Sequence, residues 1–330
     1  MRDERKVQLT PEERPDARTV SQVGEFGLIR RVTDDRTQPK GTLLGPGDDA
    51  AVVSSPDGRV VATTDVLVQH VHFRLDWSGP RHVGRKAVAV NLSDIAAMGA
   101  VPTGLLVGLG CSGEFSAEFV DELAAGMWEE ARRAGTGLVG GDMVTATELT
   151  ISVTALGDLQ GRAPVTRDGA RPGDVVALAG GLGWSAAGLE VLARGFRSPL
   201  SVVGAHRVPE PPYEAGPSAA EAGATSMIDV SDGLLADLEH VANASGVSLD
   251  IRTEQLEVPQ RLLEVASALG ADARHWVLNG GEDQALVATF PETAGLPAGW
   301  RPVGRVLAGQ GVTVDGAEYS EEAGWRHWRQ

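Results

Sequence analysis

Short apolar runs alternate along this chain with longer segments of helical periodicity, a pattern of strands interleaved with helices. GEFGLIRRVT (24–33) has helical spacing, and after a polar loop the acidic turn of GPGDDAAVV (45–53) leads into a strand. A second strand, RVVATTD (59–65), follows the turn Pro56-Asp57-Gly58. VLVQHVHF (66–73) then alternates as a strand would, with His70 and His72 on one side. Between Val83 and Met98 the small and aliphatic residues are dense enough for a buried helix, closed by Gly99 and Pro102. Asn91 and Asp94, three apart, share one face of it. VPTGLLVGLG reads as a strand, EFSAEFVDELAAGMWEEARRAG as an amphipathic helix ending at Gly135, and TGLVGGD and ELTISVTALGD as two more strands.

The second half repeats the style. DVVALAGGLGWSAAGLEVLARG is strand, glycine loop and helix. VPEPPYEAGPS is a proline-rich connection, and SMIDVSDGLLADLEHVANASG is strand, capped turn and helix. QALVATF is a strand, and PVGRVLAGQGVTVDG reads as a final hairpin. The loop GDLQGRAPVTRDGARPGD, rich in Gly, Pro and charge, marks a boundary near 157–167. Residues 1–20 carry charge and proline without apolar periodicity, and are expected to be a disordered tail. The expected organisation is thus a tail (1–20) and two α/β domains (21–157 and 158–330), in keeping with a length of 330 residues.

A net charge of −16 argues against nucleic acid or an anionic membrane as partner. There is no apolar stretch of membrane-spanning length and no signal-peptide pattern. The single Cys111 excludes an internal disulfide, which fits a reducing compartment, so a cytoplasmic location is expected.

Acidic residues stand repeatedly just after apolar runs: in GPGDDAAVV, VVATTD, NLSDIAAMG, GLVGGD, MIDVSDG and LNGGED. An Asp at the end of a buried strand, beside glycines, is poorly solvated unless something positive meets it. No matching set of Lys or Arg accompanies these acids, so the natural partners are divalent cations held by oxygen, which most often serve a phosphate-rich ligand. The residues alone therefore point to metal-assisted phosphoryl transfer without a lysine-bearing phosphate loop. Each turn has a plainer reading by itself: Asp and Gly dominate turns, and Ser231 or Asp232 is a natural helix N-cap. Asp94 within its apolar helix has a structural alternative only as a buried carboxylate with a dedicated donor, and Asp229 within its strand has none. His70 and His72 lack a third zinc ligand. Arg167 is a phosphate contact or a solvated loop residue, and Trp325 and Trp328 close a core edge or stack on a heterocycle. Gly181 to Ala186 fits G-x-G-x-x-A after a strand, but no acid follows about 20 residues on, which leaves a dinucleotide site unsupported.

Taken in order, GEFGLI, GDDAAV, TTDVLVQHVHF, GRKAVAVNLSDIAAMGA, GGD, TRDGARPGD, MIDVSDGL and GGED resemble the thiamine-monophosphate kinase family, part of the superfamily of aminoimidazole ribonucleotide and selenophosphate synthetases. The resemblance covers residues 24–328. It implies two α/β domains: an N-terminal mixed sheet with helices that dimerises, and a C-terminal α/β sandwich. It implies ATP-dependent phosphorylation of thiamine monophosphate to thiamine pyrophosphate by a homodimer. By the same resemblance Asp49, Thr63, Thr64, Asp65, Asp94, Asp142, Asp229 and Asp232 would hold several magnesium ions. Gly141, Asp142, Arg167 and Ser231 would bind ATP, and His72, Glu282 and Trp325 the thiamine monophosphate. Because the acceptor phosphate is already ionised near neutral pH, no general base is assigned. Two departures stand out: Gln284 replaces the family's usual aromatic after GGED, and GLGCSGEFS replaces a proline-containing stretch. Two other readings stay open: a superfamily synthetase with another acceptor, and a non-catalytic binder of nucleotide or thiamine phosphates.

Overall fold

A computed structural model describes residues 18–46 and 50–319 of the chain. Asp49, Trp325, Trp328 and most of the expected tail lie outside the described residues. Thr19 caps the short helix α1 (Val20–Val23), which leads into α2 (Glu25–Thr33) and a small antiparallel pair, β1 (Thr42–Leu44) with β2 (Val52–Val53).

The next six elements are β3 (Val61–Val68), α3 (Pro80–Ala97), β4 (Val101–Cys111), α4 (Ala117–Arg133), β5 (Leu138–Thr145) and β6 (Thr150–Asp158). Their strands form a four-stranded sheet of order β3-β6-β4-β5, mixed because β4 and β5 run parallel while the other pairs are antiparallel. Alternation along β6 puts Ile151, Val153 and Ala155 against α3 and α4, all fully buried. The two helices lie unusually close. A β-carbon on Gly84 would stand 2.0 Å from the Leu123 carbonyl, and one on Gly126 2.1 Å from that of Arg81, so only glycine permits the approach.

The second half forms a seven-stranded sheet. Its elements are β7 (Val175–Ala179), α5 (Trp184–Ala193), α6 (Leu200–Arg207), α7 (Ala215–Glu221), β8 (Ser226–Val230), α8 (Leu234–Ser245), β9 (Ser248–Ile251), α9 (Gln260–Leu269), α10 (Ala273–Asn279), β10 (Ala285–Phe290), β11 (Trp300–Leu307), β12 (Gly311–Val314) and β13 (Ala317–Glu318). The order is β13-β12-β9-β11-β7-β10-β8, antiparallel except for β12 beside β9. Residues of α5, α6, α8, α9 and α10 cover one face in the largest core. The other face is covered by α7 and by Ala96 and Ala97 at the end of α3, so one helix belongs to both cores. This is the sandwich expected of the second half.

Three expectations change. The strand expected through Phe73 stops at Val68: the amides of Val71 and His72 bond back to the Val68 carbonyl, and His70 takes a left-handed φ of 68°. His70 and His72 therefore do not share a strand face. The expected final hairpin does not form, because the fully buried β9 inserts between β11 and β12 and pairs with both. Helix α6 stands just before the proline-rich connection VPEPPYEAGPS, and α7 begins inside it. Pro199 caps the first and Pro217 sits in the first turn of the second, where a missing N–H costs nothing. No helix among the described residues is long and apolar enough to cross a membrane.

Candidate active site

Strand β3 splits its residues between two faces. Thr63 turns to α3 and donates its hydroxyl to Asp94 Oδ2 at 2.7 Å. The Asp65 amide donates to Asn91 Oδ1 at 2.8 Å, and the Asn91 amide group donates to the Ala87 carbonyl, which satisfies this buried polar pair within α3. The sequence spacing of Asn91 and Asp94 thus serves to join β3 to the helix.

From the second half, β8 brings Asp229 to the same place. Asp229 is 5% exposed, and its carboxyl is pushed up to about 8, first by burial and then by the charges of Asp94 and Asp237. Asp94 is raised to about 6, again chiefly by burial, with the Thr63 hydroxyl opposing and Asp65 adding to the rise. Arg167, in the loop before β7, acts on Asp94 with the favourable sign. After β8, α8 is capped at Gly233 without a side-chain hydrogen bond. The turn is held instead from inside the helix by Asp237, which accepts the amides of Asp232 and Gly233 at 3.1 Å each. Ser231 and Asp232 are therefore not the cap that the sequence allowed.

Burial and repulsion between acids hold Asp94 and Asp229 above the usual carboxylate range, and the donors they offer are hard oxygens, which fits a magnesium-like cation. Among the described residues no three acidic, histidine or cysteine side chains converge tightly enough to enclose a metal.

A second group lies alongside. Glu282 follows Gly281 with a left-handed φ of 65° and sends its amide to the Ser231 carbonyl at 2.7 Å. Lys86 of α3 donates to Glu282 Oε1 at 2.7 Å and to the His72 carbonyl at 3.0 Å. His206 places Nδ1 3.4 Å from Glu282 Oε2 and 3.1 Å from Ser185 Oγ. Burial alone would raise the Glu282 carboxyl; Lys86, His206 and His72 outweigh it and hold it below its ordinary value. His206 falls to about 4 through burial, with Lys86 adding to the drop. Lys86 thereby links the His72 backbone to Glu282. Lys86, His206 and Ser185 are not singled out by the sequence reading; the usable signal is a lysine that opens directly onto the apolar stretch Ala87 to Val90.

Neighbouring Asp283 accepts the amides of Gly183 (2.5 Å) and Ser185 (2.8 Å). The N-terminus of α5, where a dinucleotide phosphate would sit in the G-x-G-x-x-A reading, is thus filled by a carboxylate of the protein itself.

Not every expected residue converges. The Thr64 side chain faces away from Asp94, donating to the Val153 carbonyl and accepting from Thr154. Gly141 and Asp142 lie on β5, three strands from β3 and so about 14 Å across the sheet. They line a separate cleft of about 890 Å³ with Phe26, Ile29, Pro46 and Leu106. Gly141 has a steric reason of its own, since a β-carbon there would meet the Val107 carbonyl at 2.2 Å.

Fold and site together define the class of AIR synthase related proteins. The pattern of that family's N-terminal domain matches residues 47–159 and that of its C-terminal domain residues 171–316. A Mycobacterium tuberculosis thiamine-monophosphate kinase is 53% identical over 93% of this chain and 92% of its own length. The Corynebacterium glutamicum enzyme of that name is 40% identical over 96% and 97%. A solved structure described as AaThiL complexed with AMPPCP and TMP superposes with a TM-score of 0.78 at 31% identity, covering 98% of this chain and all of the other. The chain belongs to the thiamine-monophosphate kinase family.

Proposed function

We propose that this protein transfers the terminal phosphoryl group of ATP to thiamine monophosphate, giving thiamine pyrophosphate and ADP. The observation that carries the chemistry is the meeting of Asp94 and Asp229 from the two halves of the chain, each held above the usual carboxylate range by burial and by the other acids. In the reaction an acceptor phosphate oxygen forms the new P–O bond, and the bond from the γ-phosphorus to the bridging oxygen breaks, its electron pair leaving with ADP. Both partners are polyanions, and bound magnesium would screen their repulsion and the charge developing in flight. The acceptor oxygen is already deprotonated, so the reaction needs no dedicated base.

We assign metal binding to Asp65, Asp94, Asp229 and Asp232 with Thr63, and to Asp49, Thr64 and Asp142. ATP contacts fall to Gly141, Asp142, Arg167 and Ser231, and acceptor contacts to His72, Glu282 and Trp325. The meeting of the His72 backbone and Glu282 on Lys86, beside the turn that carries Ser231, supports the acceptor contacts. We assign residues 21–157 to nucleotide and metal binding and to dimerisation, and 158–330 to completing the cleft. A homodimer is supported by the face of the four-stranded sheet turned away from the helices, where Val66 (46%), Leu106 (37%) and Val144 (58%) are exposed. Gly141 and Asp142 lie beside that face, at the edge where two copies would meet. We place the protein in the cytoplasm, consistent with a lone, buried, free Cys111.

The direct test is a product assay with ATP, magnesium and thiamine monophosphate, with thiamine and aminoimidazole precursors as parallel acceptors. Magnesium-dependent thiamine pyrophosphate from the monophosphate alone is the expected result. ATP binding without that product would discard the acceptor.

A further inference from the structure

We propose that Lys86 is a positioning residue for the acceptor substrate: one ammonium ties the His72 backbone, on the N-terminal side of the cleft, to the Glu282 carboxylate on the C-terminal side. The inference rests on the reading of His72 and Glu282 as acceptor contacts.

Lys86 is 3% exposed on α3, where a lysine is almost never found without a dedicated partner. Two of its three N–H donors go to groups from opposite halves of the chain that meet at one place, at 3.0 Å (His72 carbonyl) and 2.7 Å (Glu282 Oε1). Glu282 is held at its backbone and at its carboxylate. Its φ of 65° is one that a residue with a side chain adopts only where its surroundings hold it, and its amide is tied to the Ser231 carbonyl. His206 stands 3.4 Å from its second oxygen and is itself within reach of Ser185. Yet 34% of the Glu282 side chain remains accessible. A carboxylate clamped at one oxygen and open along one edge is preorganised to receive a ligand.

Stability alone is a poor account of this lysine, because a buried ion pair contributes little that well-packed apolar side chains would not. What the ammonium does that an apolar pair cannot is set the positions of His72 and Glu282 relative to each other. An error of about 1 Å in such positioning is worth up to about a hundredfold in rate or affinity.

The experiment is steady-state kinetics on the full-length protein for wild type, Lys86→Met, Lys86→Arg, Glu282→Gln and the Lys86→Met/Glu282→Gln pair, with each substrate varied separately. Lys86→Met and Glu282→Gln should each raise KM for thiamine monophosphate by about tenfold or more, with KM for ATP within about twofold of wild type. The double variant should be no worse than the worse single, since both remove the same link. Lys86→Arg should fold and still raise KM for thiamine monophosphate, because a planar guanidinium cannot reproduce two separately aimed donors. An unchanged acceptor KM in Lys86→Met, a parallel rise in both KM values, or effects that multiply in the double variant would each overturn the proposal. If Lys86→Met does not fold, a wild-type acceptor KM in Lys86→Arg overturns it, leaving the lysine a latch of the fold. The acceptor reading fails separately: wild type would then make no thiamine pyrophosphate, or Glu282→Gln would bind the acceptor normally.

Discussion

Replacing Asp94 by asparagine separates what the site needs from what the fold needs. The amide keeps an acceptor for the Thr63 hydroxyl, now 2.7 Å from Asp94 Oδ2, and preserves the side chain's shape. It removes one charge from a place where Asp65 and Asp229 already repel it. Burial, then Asp65, raises the Asp94 carboxyl from 3.8 to about 6, even against the Thr63 hydrogen bond. That rise corresponds to a ceiling of about 3 kcal/mol, which solvent at the partly open edge of the side chain reduces to about 1–2 kcal/mol. The folded protein holds a proton that the unfolded chain has released between about pH 4 and 6, so wild-type stability falls across that window and stays lower above it. The asparagine variant lacks this titration. It should match wild type near pH 4 and exceed it by about 1–2 kcal/mol near pH 7.5, read by urea denaturation without magnesium. Turnover should go the other way, falling about 10²–10³-fold at saturating magnesium, as for loss of one preorganised electrostatic group. Magnesium should also raise the melting temperature less than in wild type. Turnover within about threefold of wild type, or a variant less stable near pH 7.5, would refute the reasoning.

Three further outcomes follow from the geometry. Asp283, pushed up to about 7 by burial against the opposing amides of Ser185 and Gly183, makes stability fall as pH rises from about 4 to 7. Asp283→Asn should flatten that slope by at most about 1.4 kcal/mol per pH unit, and an unchanged slope in urea titrations would count against it. Glu130 is fully buried, accepts from Arg85, Arg133 and Tyr213, and so links α4 to the segment before α7. Glu130→Ala should lose about 3–5 kcal/mol of unfolding free energy by stranding those donors, with a loss under about 1 kcal/mol arguing otherwise. Val144→Asp should shift the proposed homodimer toward monomer in light scattering at micromolar concentration; a wild type already monomeric there would remove the dimer itself.

Much of the chemistry was legible along the chain because it is written in local terms. Asp94 and Asp229 were conspicuous as acids within apolar segments that offered them no solvent, and both lie at the site. Strand and helix positions followed from periodicity wherever packing agreed with it, as in α3, α4 and β6. The errors arose where distant contacts overrode local pattern: the end of β3, where the chain turns back on Val68, and the end of the sheet, where β9 separates two strands that looked like a hairpin.

By itself, then, the sequence determined the α/β alternation, the oxygen-rich character of the site and the residues too costly to bury without purpose. Those follow from the period of each element and from the solvation of a single side chain. Tertiary structure alone decided which of these residues meet. It turned Thr63, and not Thr64, toward Asp94, and it left Gly141 and Asp142 three strands away. It also put Lys86 against a glutamate 196 positions along the chain. Such meetings depend on strand order and on close helix approach, which arise from the sum of many long-range contacts and are carried by no single stretch of residues.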